Sequence, residues 1–292
     1  MTTDFRPGHW LRSLGPGAAA LGALHLTLVA ALWWGQEGLL FHPEPLPAGH
    51  RFDFGPDVHE TWVEVPGARL NALHLRLPDA DGVVLFLHGN AGNLKTWFTA
   101  VQLFRRANFD LFMPDYRGFG KSTGRIEGQA QFEADVRAVW GAVSPAYLGE
   151  RRGIYGRSLG TGVAALLAAQ VQADLTVLLS PYQSGVALAG ERYPWVPGMV
   201  LRYPLRTDWA LGVVKTPVLL FHRDRDILIP PIHSVRLHAL VPNATLRWVA
   251  GAGHDDVHGC RAYLGALGAT LATLGEREEG AQPGSLPDSM GC

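Results

Sequence analysis

The sequence predicts an α/β domain built on a mostly parallel central sheet with helices on both faces, preceded by one membrane-spanning helix. Three observations support this prediction. Short, almost wholly apolar segments recur along the chain, helical segments with one apolar face lie between them, and a long uncharged segment stands near the N-terminus. Strands that are apolar on both faces are typical of a parallel sheet covered by helices on each side.

The composition sets outer limits on this prediction. The chain has 292 residues, enough for one large domain and a short appendage. Apolar residues make up 47% and charged residues 17%, which allows a sizeable core and excludes a wholly disordered chain. The formal net charge of -1 provides no basic field for nucleic acid. Two cysteines are too few for a disulfide framework or a zinc cluster.

The uncharged segment covers residues 14–34. As a helix rising 1.5 Å per residue it is about 31 Å long, close to the thickness of a bilayer core. Trp33 and Trp34 end the segment, in the manner of aromatic residues at a membrane interface. We predict a transmembrane anchor. A cleaved signal peptide and an apolar helix of a soluble enzyme are the alternatives, and the first is disfavoured because no convincing small-residue cleavage site follows.

Charges on either side of the anchor predict its orientation. Arg6 and Arg12 precede it, whereas Glu37 and Glu44 follow it. Basic residues tend to stay in the cytoplasm, so residues 1–13 are expected there. The predicted localisation is a single-pass membrane protein whose main domain lies on the non-cytoplasmic side.

The chain beyond the anchor divides into three parts. A Pro-rich linker is expected over 35–58 and a single domain over 59–275. Within the domain, 181–215 is rich in Pro and aromatic residues between two strands and is predicted to be a lid. The polar residues 276–292 lack periodicity and are predicted to form a disordered tail.

The strands of the domain follow two patterns. Residues 62–65 and 70–77 alternate between apolar and polar on either side of a Pro-Gly turn, which predicts an antiparallel pair at the edge of the sheet. The later segments are nearly all apolar and predict buried parallel strands. They lie at 83–88, 109–115, 153–156, 175–180, 217–222 and 245–250.

The strongest chemical signal is a Gly-x-Ser-x-Gly motif centred on Ser158. It follows one predicted strand directly and opens a predicted helix, as a nucleophile elbow requires. The tight turn holds the serine in a strained backbone conformation, and only small residues at Gly156 and Gly160 leave room for it. The motif predicts that Ser158 is a nucleophile; the alternative is an ordinary Gly-rich turn.

A serine hydroxyl needs a base, and the base needs a carboxylate to orient it. His254 lies in a Gly-rich loop directly after the last strand and is the preferred base, with His258 one helical turn further on. Asp226 lies in the loop after the strand that ends at His222 and is the preferred acid, with Asp224 as the fallback. The carboxylates next to His254, Asp255 and Asp256, are disfavoured because adjacent side chains diverge.

Acyl transfer also requires hydrogen-bond donors for the developing oxyanion. One backbone amide is expected from Leu159, directly after the nucleophile. The other is expected from Asn90 in the Gly-rich loop 88–93 that follows the first buried strand.

Two patterns suggest other chemistry and are rejected. The GKS sequence at 120–122 resembles a nucleotide-binding loop, but Asp115 stands where that motif needs a glycine. The spacing of His254 and His258 suits a metal site, but no third ligand is evident, so no metal is predicted.

Together these motifs resemble the α/β-hydrolase superfamily, and most closely its membrane-anchored hydrolase-domain proteins. The segments that carry the resemblance are HGNAGN (88–93), DYRGFGKS (115–122), GRSLG (156–160), SPY (180–182), HRDRDILIP (222–230) and GAGHDD (251–256). The group includes protein depalmitoylases and sequences labelled serine aminopeptidase or lysophospholipase-like. The resemblance implies the α/β-hydrolase fold, no cofactor, and a triad of Ser158, Asp226 and His254. One departure is Arg223, where the family usually has glycine.

The expected function is hydrolysis of carboxylic ester or thioester bonds through an acyl-enzyme intermediate. An anchor in the bilayer and an aromatic-rich lid favour an acyl ester, lipid or thioester as the substrate, with the membrane as the other partner and no nucleic acid. A peptidase or amidase of the same fold is the nearest alternative. A non-catalytic membrane scaffold is the alternative from another class.

Overall fold

A computed structural model describes residues 8–251, 260–273 and 289–291. These residues form eleven strands, of which eight lie close to the predicted segments and the first, fifth and last were not predicted. The strands are β1 (His42–Pro43), β2 (Val58–Val65), β3 (Ala68–Leu75), β4 (Gly82–Leu87), β5 (Ala91–Gly92), β6 (Asp110–Pro114), β7 (Arg151–Arg157), β8 (Leu175–Leu179), β9 (Val218–Arg223), β10 (Ala244–Ala250) and β11 (Ser289–Gly291).

The main sheet confirms the predicted fold class. Among the described residues it contains nine strands in the order β11-β10-β9-β8-β7-β4-β6-β3-β2. The strands from β11 to β6 run parallel, whereas β3 and β2 form an antiparallel pair at the edge. The parallel strands are apolar on both faces because each face is covered by helices.

Helices cover both faces of this sheet, whereas the first helix is largely exposed. The helices are α1 (Gly8–Leu40), α2 (Leu94–Trp97), α3 (Val101–Arg106), α4 (Gln129–Val143), α5 (Leu159–Ala168), α6 (Gly185–Arg192), α7 (Thr207–Val213), α8 (Ile232–Leu240) and α9 (Arg261–Thr273). Side chains of α3 and α9 share one apolar cluster with Val84 and Phe86 of β4. Side chains of α4, α5, α7 and α8 share the other with Val83, Leu85 and Leu87. Successive β4 residues therefore enter opposite halves of the core.

The first helix is longer than the predicted anchor. Within it, Gly17–Leu40 is long and apolar enough to cross a membrane, and its side chains are mostly exposed. The helix continues to Leu40 because Gln36 and Glu37 are held by polar contacts from the lid. Contacts between residues so far apart in sequence cannot be read from a hydropathy pattern.

The C-terminal residues also differ from the expectation of a structureless tail. Ser289–Gly291 form β11, which pairs in parallel with Trp248–Ala250 of β10. The pairing uses backbone groups over three residues. A segment this short has no hydrophobic period to recognise.

Candidate active site

The site is built around the turn that joins β7 to α5. Ser158 occupies this turn with a φ of 52° and a ψ of -120°. A positive φ is unfavourable for a residue that has a Cβ atom, so the surrounding structure must impose it. The Ser158 amide donates to the carbonyl of Leu179 at 3.0 Å, which ties the turn to the end of β8.

Two glycines make this conformation possible, as predicted. A Cβ atom on Gly160 would lie 2.1 Å from the carbonyl oxygen of Leu87 and 2.6 Å from that of His88. A Cβ atom on Gly156 would lie 2.6 Å from the carbonyl oxygen of Gly160. All three obstacles are backbone atoms that cannot rotate away. The turn therefore excludes any larger residue at either position.

The loop after β4 lies directly beside Ser158. A Cβ atom on Gly89 would be 3.7 Å from the Cβ of Ser158 and 2.9 Å from the ring of Trp97. The Trp97 indole donates to the carbonyl of Ala91 at 2.6 Å. The predicted donor residue Asn90 thus belongs to a loop that is held against the serine.

The segment after α1 forms a second support for this loop. Amides of His42, Glu44 and Leu46 donate to the carbonyls of Asn90 (2.7 Å), Gly92 (3.2 Å) and Gly120 (2.7 Å), respectively. The side-chain amide of Asn93 donates back to the Glu44 carbonyl at 2.9 Å. Residues 42–46 were predicted to be linker, and the structure instead pairs them with the site.

A sequence signal for this pairing exists. Prolines occupy positions 43, 45 and 47, alternating with the residues whose amides are used. A strand alternates its donors between two sides, so prolines remove the amides on the outward side alone. This pattern is consistent with a short strand that pairs on one side and resists pairing on the other.

A buried polar pair lies beneath the loop. The His88 ring and the Asp115 carboxylate are fully buried, with 3.4 Å between Nε2 and Oδ1. The Nδ1–H of His88 donates to the carbonyl of Gly89 at 2.7 Å, and Asp115 accepts from the Leu94 amide at 3.3 Å. Burial raises the pKa of Asp115. These contacts fix both ends of the Gly89–Asn93 turn.

Asp226 and Asp224 occupy different environments, which separates the preferred acid from its fallback. Asp226 is buried, and its Oδ1 accepts from the amides of Leu228 (3.0 Å) and Ile229 (2.9 Å). Asp224 is exposed and accepts from the amide of Gly251 at 2.8 Å. Asp224 therefore braces the start of the loop after β10, whereas Asp226 is presented at the carboxyl edge of β9.

His222 supports the Asp226 loop from inside the protein. Its Nε2 lies 2.9 Å from the carbonyl of Ile229 and its Nδ1 lies 2.6 Å from the Ser234 hydroxyl. The carbonyl can only accept, so Nε2 carries the proton and Nδ1 accepts. Burial lowers the pKa of His222 to about 4. His222 is thus a neutral structural residue that fixes the turn after Asp226.

Arg223 replaces the usual glycine without distorting this loop. It is fully buried at the end of β9, and burial, with the nearby charge of Arg157, lowers its pKa to about 10. It remains charged at neutral pH. The Asp226 amide still donates to the Arg223 carbonyl at 3.3 Å, so the turn that carries the acid is intact.

The predicted base falls outside the described residues. His254, like His258, Asp255 and Asp256, lies in the segment 252–259 between the end of β10 and α9. Gly251, the last described residue before this segment, donates its amide to Asp224 at 2.8 Å. The chain therefore reaches the segment beside the loop that carries Asp226.

The lid aromatic residues divide into two groups. Tyr182 and Tyr203 are buried, and the Tyr182 hydroxyl donates to the Leu159 carbonyl at 3.1 Å. Burial raises the pKa of Tyr182. Tyr193, Trp195 and Trp209 are exposed. Tyr182 therefore packs against the start of α5 beside Ser158, whereas Tyr203 packs against Phe41 after α1. The second group faces outward.

The GKS sequence has structural contacts in place of a phosphate site. The Lys121 ammonium pairs with Glu60 at 2.5 Å, and the Ser122 hydroxyl donates to the carbonyl of Asp115 at 2.8 Å. A Cβ atom on Gly120, whose φ is 52°, would overlap the Asp115 carboxylate. The motif therefore forms a turn that is held by these contacts.

Comparison with known proteins places these features in a family context. The family profile described as "Serine aminopeptidase, S33" matches residues 78–203. The chain is 30% identical over 213 residues to alpha/beta hydrolase domain-containing protein 17C of Xenopus tropicalis, covering 70% of this chain and 67% of that protein. It is 32% identical over 209 residues to protein 17B of the same species, covering 69% and 70%.

Solved structures share the fold. An esterase from Pyrococcus furiosus superimposes with a TM-score of 0.62, covering 82% of this chain and 98% of its own. The two sequences are 17% identical, so this similarity concerns the fold alone.

The close contacts of Gly160 predict a large loss of stability on a small substitution. We expect Gly160→Ala to lower the free energy of unfolding by about 3 kcal/mol or more, because its methyl group would overlap two carbonyl oxygens. Gly141→Ala is the matched control, since Gly141 lies in α4 with no atom within 4 Å of a Cβ. That change should raise stability by about 0.5–1 kcal/mol.

Denaturant unfolding of the full chain in detergent, followed by tryptophan fluorescence, measures both effects. Equal stabilities for the two variants would contradict the geometry of the turn.

Proposed function

This chain belongs to the α/β-hydrolase family of serine hydrolases, and we propose that it cleaves carboxylic ester or thioester bonds through an acyl-enzyme formed on Ser158. The observation that carries the proposal is the strained turn at Ser158, with the Gly89 loop packed against it. Strain of this kind is retained where it serves a function, and here it aims a hydroxyl at the carboxyl edge of the sheet.

We propose Asp226 as the acid of the triad. Two main-chain amides donate to Oδ1, so the carboxylate is held in one orientation. Asp224 accepts from the Gly251 amide. We therefore expect removal of the Asp224 carboxylate to disturb the loop after β10 and not the proton transfer. His254 remains the proposed base, which follows the acid in chain order as this fold requires.

The reaction then proceeds in two stages. His254 removes the Ser158 proton as Oγ attacks the acyl carbon, and the amides of Leu159 and Asn90 stabilise the resulting oxyanion. The tetrahedral intermediate collapses, the bond to the leaving oxygen or sulfur breaks, and His254 returns the proton to the leaving group. Water attacks the acyl-enzyme by the same route and releases the carboxylic acid together with free Ser158.

The substrate class is proposed from the location of the site. Helix α1 has the length and composition of a membrane anchor, so acyl chains in a bilayer are the nearest abundant esters. A thioester presents the same carbonyl with a better leaving group, and we include it for that reason.

The domain boundaries form part of the proposal. Residues 14–34 cross the membrane, and 59–275 form the hydrolase domain with a lid at about 181–215. The charges that flank the anchor support residues 1–13 on the cytoplasmic side and the domain on the other side.

Active-site labelling tests the proposed nucleophile. A fluorophosphonate probe should label the full chain in detergent and should fail to label Ser158→Ala, whose ester turnover should fall by about 10⁴-fold or more. Ser144→Ala, at a buried serine directly after α4, is the control and should label normally. Undiminished labelling of Ser158→Ala would refute the proposed nucleophile.

The same protein separates the alternative activities. We expect turnover of acyl esters and thioesters to exceed that of aminoacyl amides. The reverse order would indicate a peptidase or amidase, and the absence of both labelling and turnover would indicate a scaffold.

The segment after α1 gives a second test, because it positions the proposed oxyanion donor. Glu44→Pro removes the amide that donates to Gly92 and should lower kcat by about ten-fold or more, with a smaller change in KM. Pro45→Ala restores an amide on the outward side and should leave kcat within about two-fold. Equal kcat values for these two neighbouring variants would show that the segment does not position the loop.

A further inference from the structure

The lid and the loop that carries Asp226 expose an apolar surface beside the site. We call its members the lid rim: Tyr193, Trp195, Met199, Ile227 and Leu228. Met199 and Ile227 are each 90% exposed. A contiguous surface of large apolar side chains is uncommon on a water-facing protein and indicates an interaction site.

The two parts of this surface are held together. The guanidinium group of Arg192, at the end of α6, donates to the carbonyls of Ile227 (3.2 Å) and Leu228 (2.7 Å). The lid and the acid loop therefore keep a defined relative position. The lid rim is one surface rather than two unrelated loops.

Polar contacts fix the other end of this lid segment to α1. Gln36 donates to the carbonyl of Val200 at 2.9 Å and accepts from the amide of Arg202 at 2.8 Å. Glu37 pairs with the Arg202 guanidinium at 2.7 Å and accepts from the Tyr203 hydroxyl at 2.8 Å. The helix that is proposed to enter the membrane is thus fastened directly to the lid.

The lid then extends along α1 toward the middle of the helix. The Trp195 ring lies 6.1 Å from the ring of His25, centroid to centroid. His25 precedes Gln36 by 11 positions, which is about 17 Å along a helix with a rise of 1.5 Å per residue. One leaflet accounts for about 15 Å of a hydrocarbon core that is about 30 Å thick. Trp195 therefore lies about one leaflet deeper than the polar contacts at Gln36.

We propose that the lid rim is a lipid-binding surface, inserted into the leaflet that the C-terminal half of α1 crosses. The inference rests on the proposed membrane anchor. If Gln36 and Glu37 lie at the head groups, the contact with His25 places Trp195 at the depth of the acyl chains. Met199 lies between Trp195 and Val200 in the chain, and its exposed side chain belongs to the same surface. Burial in lipid removes this apolar surface from water.

This placement identifies how substrate reaches the site. Ile227 is the residue directly after Asp226, so the inserted surface borders the proposed catalytic acid. An acyl chain moves from the leaflet along the lid rim to Ser158 without crossing water. The substrate class that this route serves is an ester or thioester whose acyl chain is already in the bilayer.

Depth-dependent quenching tests the lid rim. An environment-sensitive fluorescent amino acid is placed at position 199 of the full chain, which is reconstituted in phosphatidylcholine vesicles containing doxyl-labelled phosphatidylcholine. Position 28 in α1 is the membrane control. Position 148 is the aqueous control. It is an exposed leucine just before the N-terminal end of β7, whereas Ser158 follows the C-terminal end of that strand.

We expect emission from position 199 to shift to shorter wavelength and to lose most of its intensity, as at position 28, while position 148 is unaffected. Quenching at 28 without quenching at 199 would overturn the lid proposal. No quenching at either position would overturn both the anchor and the lid proposal. Fluorophosphonate labelling of the same vesicles reports separately on Ser158, so loss of the hydrolase proposal is distinguishable.

Discussion

The structure depends on the close fit of the backbone around Ser158. The turn between β7 and α5 passes so near the end of β4 that a methyl group at Gly160 would overlap two carbonyl oxygens. That proximity gives Ser158 its positive φ and brings the loop after β4 against it. The parallel neighbours β4, β7 and β8 fix the three strand ends involved, and the Ser158 amide completes the arrangement through Leu179.

Helix α1, the proposed membrane anchor, and the candidate site form a single structural unit. Helix α1 ends at Leu40, and within six residues the chain donates amides to the loop proposed to hold the oxyanion and to the turn at Gly120. The same helix is tied to the lid through Gln36 and Glu37. The anchor therefore contributes to both sides of the site. A hydrolase whose substrate resides in a bilayer would gain from this arrangement, because the depth of the lid is fixed relative to the nucleophile.

Much of this architecture follows from local sequence signals. The buried strands were predictable because both faces of each are covered, so most of their positions are apolar. The turn at Ser158 was predictable because its sequence has every feature of a nucleophile elbow: glycines at 156 and 160, a strand before the serine and a helix after it. The exclusion of a nucleotide-binding loop followed from Asp115, which in the structure pairs with His88 beneath the loop.

Other features depend on contacts that a one-dimensional pattern does not contain. Residues 42–46 bind through backbone amides, so only the alternate prolines hint at their pairing. Helix α1 extends past Trp34 because lid residues distant in sequence satisfy Gln36 and Glu37. β11 has three residues, which are too few to show a hydrophobic period in the sequence. Arg223 is fully buried although it is charged, which a comparison with a family glycine does not predict.

The most direct test of the account compares two neighbouring carboxylates. Asp226 and Asp224 are two residues apart, yet one is proposed to orient the base and the other binds the Gly251 amide. Single-turnover ester hydrolysis should slow by about 10³–10⁴-fold in Asp226→Asn and by less than about ten-fold in Asp224→Asn. Equal losses, or a larger loss in Asp224→Asn, would contradict a triad that passes from Ser158 through His254 to Asp226.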